Sequence, residues 1–180
     1  MQISSHQTTR QVQDSSFGLR CFLVLVALFE AFEASLDLPL IIDRPNLLFG
    51  PWAVVPTTFM GILLAKTYVI VHPTLAIAAL TFSVIGNIRA ALIALGAISI
   101  LTWLSFLPAI LEHGLPLDDW REVQWTIAQL VVFPLLAGVA ITLAVRTRRY
   151  WLAAALLGVA TAYNVFGMVL FVVNVVVANI

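Results

Sequence analysis

The sequence predicts an all-α protein, a polytopic bundle of transmembrane helices, and three observations support this fold class. The chain has 180 residues, of which 62% are hydrophobic and only 10% are charged. A soluble globular domain contains about 25% charged residues, whereas helices in a bilayer satisfy their own backbone polar groups and keep apolar outer faces. Apolar stretches of about 20 residues, the length that crosses a hydrocarbon core, recur along the chain. The charged residues concentrate between those stretches.

The chain begins with a polar stretch, residues 1–18, that is rich in Ser, Thr and Gln and predicts a loosely ordered tail. The apolar segment that follows, 19–42, contains Glu30 and Glu33 and is too long for the core of a signal peptide. We therefore expect it to be the first membrane span, not a cleaved leader. Residues 19–180 are then expected to form a single transmembrane domain.

Four further spans are predicted between turns that contain charged residues, proline or glycine. They cover residues 57–88, 90–111, 123–145 and 150–178. The first of these allows a second interpretation, because a break at His72-Pro73 would divide it in two and give six spans in total. That break would leave a final piece of only about 15 residues, roughly 22 Å long at 1.5 Å per residue. A single helix kinked at Pro73, and hence a total of five spans, is favoured.

The distribution of arginine gives the predicted bundle an orientation. With five spans, one side of the membrane receives Arg10, Arg20, Arg89, Arg146, Arg148 and Arg149. The opposite side receives Arg44 and Arg121 together with acidic residues of the connecting loops. Because arginine and lysine are enriched on the cytoplasmic side, the N-terminus is predicted inside and the C-terminus outside. Compactness and short loops favour the plasma (inner) membrane of a bacterium.

Three acidic residues lie within the first predicted span. Glu30, Glu33 and Asp37 have the spacing i, i+3 and i+7, which places them on one face of a helix. An acidic side chain at the bilayer centre costs about 2.5–3.5 kcal/mol. We therefore expect this face to contact protein or water, and we take its acids as a candidate binding or proton-relay site.

The second predicted span contains two basic residues, Lys66 and His72, at depths that match those acids. If His72 lies at the centre of its helix, it is level with Glu30, and Lys66 lies about 9 Å further out at 1.5 Å per residue. Because the two helices run antiparallel, Glu30 is expected to contact His72. Lys66 is expected to pair with Asp37 or Glu33. The cluster either moves protons or binds a cation or basic ligand, or it only joins the helices.

Two further sets of residues predict contacts with lipid or protein. Anionic lipid headgroups are the predicted ligands of the inner-surface arginines Arg89, Arg146, Arg148 and Arg149. In the last span, Ala154, Gly158 and Ala162 repeat a small residue at every fourth position. Such a ridge permits close helix approach, either within the chain or to a membrane-protein partner or second copy.

Polar residues of the last two spans predict contacts between helices. Tyr163 and Asn164 in the last span are explained by helix packing. Gln124 and Gln129 in the fourth span are expected to form interhelical hydrogen bonds, with a polar cavity as the alternative.

The sequence contains no motif that defines a reaction. It lacks a nucleophile–base arrangement and a Gly-rich phosphate loop, and a single histidine inside a span is a poor ligand set for a transition metal. Enzyme activity is therefore left open without support from any motif, no cofactor or metal is expected, and the formal net charge of zero does not favour nucleic acid. The leading hypothesis is a small carrier or ligand-handling protein. The alternatives are a non-catalytic accessory or assembly subunit of a larger membrane complex and, third, an enzyme acting on lipid.

Overall fold

A computed structural model describes residues 17–36, 59–114, 120–146 and 149–178 of the chain, and these residues form helices and turns without a β-strand. Helix α1 occupies residues 17–36. The remaining helices are α2 (Phe59–Ile85), α3 (Ile88–His113), α4 (Trp120–Ile127), α5 (Phe133–Val145) and α6 (Tyr150–Ala178). A π-helical turn, Ala128–Val132, joins α4 to α5 in one continuous helical segment.

Helix α2 is continuous through Pro73, so the chain does not divide at His72-Pro73 into two helices. Proline has no backbone N–H, and the carbonyl of Val69 therefore loses its usual helical donor. The helix nevertheless extends over 27 residues. This is the arrangement that the sequence favoured over a hairpin at the same position.

Within the described part of the chain, four helical segments are long and apolar enough to cross a membrane: Phe59–Ile85, Ile88–Glu112, Val123–Val145 and Tyr150–Leu170. Helix α1 differs from these four because Arg20, Glu30 and Glu33 all lie within its described length. The rest of the first predicted span, which includes Asp37, lies outside the described residues. A total of five spans and their orientation therefore stay predictions.

A tight turn at Gly86 and Asn87 reverses the chain between α2 and α3. Gly86 has a φ of 85°, in the left-handed region that favours glycine. The Asn87 side chain caps α3 by accepting a hydrogen bond of 3.2 Å from the backbone N–H of Ala90. These two residues place the end of α2 beside the start of α3, and the two helices pack against each other.

The helices form one bundle with a core built largely from alanine. Helix α2 packs on α3, α3 on α5, and α5 on α6, while α3 also contacts α6. Side chains of α1 contact both α2 and α6. The fully buried alanines include Ala27, Ala76, Ala79, Ala91, Ala140, Ala144, Ala153 and Ala154. Small side chains allow helix backbones to approach closely, which is typical of helix packing in membranes.

Polarity is distributed in the opposite way to a soluble bundle. Large apolar side chains are exposed on every long helix, for example Leu25, Ile70, Leu111, Leu135 and Phe166. Among the described residues, the buried polar side chains are His72, Ser83, Ser105, Thr126, Gln129 and Thr161. Apolar outer surfaces with polar groups turned inward are expected in lipid, where no water is present to satisfy polar groups. The architecture is therefore that of a membrane-embedded helical bundle.

Candidate functional site

Glu30 occupies a core position of α1. The buried apolar residues of this helix are Leu19, Leu23, Val26, Ala27 and Ala34, which form one stripe with the three- and four-residue spacing of a helix face. Glu30 falls on that stripe between Ala27 and Ala34, where a further apolar residue would complete the pattern. Packing of α1 against its neighbours therefore draws the carboxylate into the bundle, and only 12% of its side chain stays exposed.

His72 occupies the equivalent position of α2. Val69, Ala76, Ala79 and Ser83 are buried on the same face, and His72 belongs to their stripe with three- and four-residue spacing. Only 2% of the His72 side chain is exposed. The next residue, Pro73, lies within the continuous helix, so the histidine is presented by an intact helical face.

The two side chains meet between the helices. His72 Nε2 lies 3.7 Å from Glu30 Oε2. The contact expected from depth counting is therefore present. The separation is within ion-pair range but exceeds the 2.7–3.2 Å typical of an N–H···O hydrogen bond. Direct proton transfer between these atoms would require them to approach by about 0.5 Å.

A third helix contributes to the same contact. The Thr161 hydroxyl on α6 donates a hydrogen bond of 3.2 Å to Glu30 Oε1. Thr161 is buried among Ala153, Ala154, Leu157 and Ala160 on the inward face of α6. The two carboxylate oxygens of Glu30 are therefore divided, one toward α2 and the other toward α6.

Tyr68 covers His72 from within α2. The two rings are separated by 4.9 Å between centroids and are inclined by 31°. A spacing of four residues places them one above the other on the helix face. The Tyr68 ring thereby restricts the orientation of the imidazole.

The other predicted members of the acidic and basic cluster have different positions. Glu33 is half-buried on α1, and Lys66 on α2 has an exposed side chain. Asp37 lies outside the described residues. The pairing of Lys66 with Glu33 or Asp37 stays a prediction, whereas Glu30 and His72 define the site, which we call the Glu30–His72 pair.

Gln129 and Asn164 form a second polar contact across the bundle. Gln129 is buried within the π-helical turn, and its Nε2 donates a hydrogen bond of 3.3 Å to Asn164 Oδ1 on α6. The predicted interhelical hydrogen bond of Gln129 is thus confirmed. Phe133 and Tyr163 make an edge-to-face ring contact between the same helical segments, with 5.4 Å between centroids.

Four of the described arginines, Arg20, Arg89, Arg146 and Arg149, lie at one end of the bundle. Arg20 donates from its guanidinium to the backbone carbonyls of Ser83 and Val84 at the end of α2. Arg89 lies in the first turn of α3, and Arg146 and Arg149 lie between α5 and α6, all three with exposed side chains. Arg148 lies outside the described residues. Binding of lipid headgroups by these arginines stays a prediction.

The small-residue ridge of α6 is used mainly within the chain. Ala154 is fully buried, and a Cβ built on Gly158 would lie 2.6 Å from Cζ of Phe22 on α1. Ala162 is exposed. Contact of the ridge with a partner or a second copy stays a prediction.

The described residues contain no group of three or more His, Cys, Asp or Glu side chains that could hold a metal ion. A shallow apolar groove of about 320 Å³ lies along α5, lined by Pro134, Leu135, Gly138, Val139, Thr142 and Leu143. All of these residues belong to one helix, and the groove does not include Glu30 or His72. Its shape therefore says nothing about the chemistry of the Glu30–His72 pair.

Sequence reasoning found Glu30 and His72 but not Thr161 or Tyr68. Thr161 has a signal in the sequence, since it follows Ala154 and Leu157 at the spacing of one helix face. That signal is weak because every face of α6 is apolar. No protein-family model, curated protein or solved structure matches the chain.

Proposed function

We propose that the protein is a small membrane carrier in which Glu30 and His72 exchange a proton during binding of a small cationic or basic ligand. One observation supports this most directly: the Glu30 side chain, of which only 12% is exposed, lies between α2 and α6, with its carboxylate 3.7 Å from the imidazole of His72. Ionisable side chains inside a membrane are costly and commonly mark ion or proton pathways. Histidine is also the side chain best suited to change charge near neutral pH.

The chemistry of the pair supports proton exchange better than metal binding. A carboxylate and an imidazole can share one proton, which resides on either group, or hold two when both are protonated. A cationic ligand would compete with the imidazolium for the carboxylate, and its arrival would release a proton. This competition is the coupling that a carrier needs between ligand and proton.

We also propose five spans with the N-terminus inside, in the plasma membrane of a bacterium. Helix α1 supports the fifth span, since its described part is about 30 Å long at 1.5 Å per residue, close to the hydrocarbon thickness. It also packs along α2 and α6 from Arg20 to Glu30. The gathering of Arg20, Arg89, Arg146 and Arg149 at one end supports the orientation.

Proton entry into vesicles tests the proposed carrier. The purified protein is reconstituted in lipid vesicles that enclose a pH-sensitive dye and tetramethylammonium, and the outward gradient of this cationic probe drives protons inward. We expect acidification faster than in protein-free vesicles, and a return to the protein-free rate for Glu30→Gln. Glu112→Gln, an equivalent substitution at the end of α3, is the matched control and should keep the wild-type rate. A folded Glu30→Gln protein with wild-type acidification would remove the proposal.

A non-catalytic subunit of a larger membrane complex is the second candidate. It is favoured by the outer half of α6, where Phe166, Val169, Leu170 and Val173 are exposed. No described atom outside its local helix lies within 4 Å of a Cβ built on Gly167. Purification in mild detergent distinguishes the candidates, because a stoichiometric larger partner supports the subunit, and a monomer or homo-oligomer supports the carrier.

A further inference from the structure

The π-helical turn in the segment from α4 to α5 contains a buried amide that is linked through α6 to the Glu30–His72 pair. π-helical turns are rare and frequently occur at functional sites. In this protein the turn contains Gln129, whose buried side chain donates to Asn164 on α6. The local departure from α-helical geometry is therefore associated with one specific polar contact.

Asn164 and Thr161 lie on adjacent turns of the same face of α6. Residues three positions apart are neighbours on a helix surface. Thr161 donates to Glu30 on α1, while Asn164 accepts from Gln129 in the π-helical turn. Helix α6 is thus held by two polar contacts on adjacent turns, one to the proposed proton site and one to the π-helical turn.

We infer that Thr161 is the positioning residue of the Glu30–His72 pair, and that the Gln129–Asn164 hydrogen bond fixes the rotation of α6 that keeps Thr161 in place. The inference rests on the proposed function. Thr161 occupies Oε1 of Glu30 and so leaves Oε2 directed toward His72. Without that donor the carboxylate could rotate about its terminal bond, and Oε2 would no longer be held toward the imidazole.

Few other titratable groups of the described residues share this region with Glu30. Glu33 lies one turn away on α1, and Tyr68 contacts His72 on α2. Tyr163 on α6 contacts Phe133. Neither Thr161 nor Gln129 is itself ionisable, so their substitution changes hydrogen bonds at the site without changing its formal charge.

The first test replaces the Thr161 hydroxyl. Thr161→Val keeps the shape and removes the donor, and we expect proton entry into vesicles to fall about tenfold, as for loss of a hydrogen bond to a charged group. Thr161→Ser restores the donor and should restore most of the rate. Thr142→Val, which removes an exposed hydroxyl bonded only to its own helix, is the matched control. If Thr161→Val does not fold, Thr161→Ala removes the same donor without the branched side chain.

Infrared difference spectra between neutral and acidic pH give a readout that a purely structural role would not change. The carboxyl band of protonated Glu30 is identified by its absence in Glu30→Gln. We expect Thr161→Val to move this band to higher frequency, because the carbonyl oxygen loses a donor, and Thr161→Ser to return it. An unchanged band in Thr161→Val would overturn the role of Thr161.

The second test concerns the π-helical turn. Gln129→Leu removes the hydrogen bond to Asn164. We expect it to shift the Glu30 carboxyl band to higher frequency and to lower the rate of proton entry, as Thr161→Val does. Gln124→Leu, an exposed glutamine of the same helical segment, is the control and should leave both unchanged. A Gln129→Leu protein with the wild-type band and rate would show that Gln129 does not act on the pair.

Different results would contradict the carrier mechanism and the positioning role of Thr161. If Glu30→Gln keeps wild-type proton entry, the proposed carrier mechanism fails. If Glu30→Gln abolishes proton entry while folded Thr161→Val and Gln129→Leu retain both rate and infrared band, only the positioning inference fails. Loss of rate in both Thr161→Val and Thr161→Ser would also count against it, since the hydroxyl would then not be the deciding group.

Discussion

The ring of Phe22 on α1 lies directly against Gly158 on α6, so that a Cβ built on the glycine would come within 2.6 Å of Phe22 Cζ. Phe22 also contacts Trp151 of α6, with 6.4 Å between the two ring centroids. The absence of a side chain at Gly158 thus allows α1 to lie close to α6. Gly96 on α3 has the same role toward Ile141 on α5, whose Cγ1 would lie 2.5 Å from an added Cβ.

Adding a methyl group at either close contact should destabilise the bundle. We expect Gly96→Ala and Gly158→Ala to lower the free energy of unfolding by about 1–3 kcal/mol, the cost typical of overpacking. The loss of stability should be larger at Gly96, because the added methyl group would meet Cγ1 of Ile141, an atom close to the backbone. At Gly158 it would meet the far edge of the Phe22 ring, which can move more easily. Thermal unfolding in detergent measures both.

Gly138→Ala is the matched control for these variants. No described atom outside the local helix lies within 4 Å of a Cβ built on Gly138. Alanine is more favourable than glycine inside a helix by about 1 kcal/mol, so this variant should be as stable as the wild type or more stable. Equal unfolding temperatures for all three variants would contradict the close contacts described.

The Glu30–His72 contact could be predicted because it depends on quantities that any α-helix fixes. The rise per residue sets depth, and antiparallel neighbours bring equal depths together. Rotation about the helix axis was not predictable in the same way. Helix α6 is apolar on every face, so its sequence did not show that Thr161, and not the ridge of Gly158 and Ala162, faces Glu30.

The π-helical turn is also beyond what the sequence indicates. Residues 128–132 are ordinary helix formers and apolar residues, and the extra residue in the turn is stabilised by contacts with other helices. The Gln129–Asn164 hydrogen bond joins residues 35 positions apart. An interhelical hydrogen bond of Gln129 was predictable, because an amide side chain without a hydrogen-bond partner is costly in lipid. The identity of that partner, Asn164, was not predictable.

A double-mutant cycle should show energetic coupling between Glu30 and His72. We expect Glu30→Gln and His72→Gln each to destabilise the protein, because each leaves a buried polar group without its partner. The double variant should be less destabilised than the sum of the two, with a coupling of about 0.5–3 kcal/mol. Unfolding in detergent at neutral pH gives the change in free energy of unfolding for each single variant and for the double variant.

A second cycle supplies the control for that coupling. Thr74 is exposed on α2, and its hydroxyl is bonded to Ile70 of the same helix. Glu30→Gln and Thr74→Val should therefore be additive. If the cycle between Glu30 and His72 is additive as well, the two side chains do not interact in the folded protein.

Arg20 should hold the end of α2 against α1. Its guanidinium donates to the carbonyls of Ser83 and Val84, and the following turn begins with Gly86 N–H bonded to Ser83. We expect Arg20→Gln to cost about 1 kcal/mol, less than a buried charge-assisted bond because the side chain is exposed. Arg20→Lys should retain only part of this stability, since lysine lacks the planar fork of hydrogen-bond donors that arginine has.

Hydrogen exchange gives a local measurement of the Arg20 contact. The backbone N–H groups of Gly86 and Asn87 bond to Ser83 and Phe82, and their exchange should accelerate in Arg20→Gln. Arg89→Gln, which removes an exposed arginine at the same end, is the control and should leave these amides protected. Equal exchange in both variants would argue against a role for Arg20 at the end of α2.

Cysteine labelling tests the proposed orientation in a membrane. The native Cys21 is first replaced by Ser, and single cysteines are then introduced at Phe17, Trp120 and Arg149, all with exposed side chains. With five spans and the N-terminus inside, an impermeant maleimide added to intact bacterial cells should label the Trp120→Cys protein only. Phe17→Cys and Arg149→Cys should label after the cells are opened, because the Phe22–Trp151 contact places the starts of α1 and α6 at the same end of the bundle. Labelling of the Arg149→Cys protein but not the Trp120→Cys protein in intact cells would show the opposite orientation. Labelling of both proteins from the same side would exclude a membrane span between these two positions.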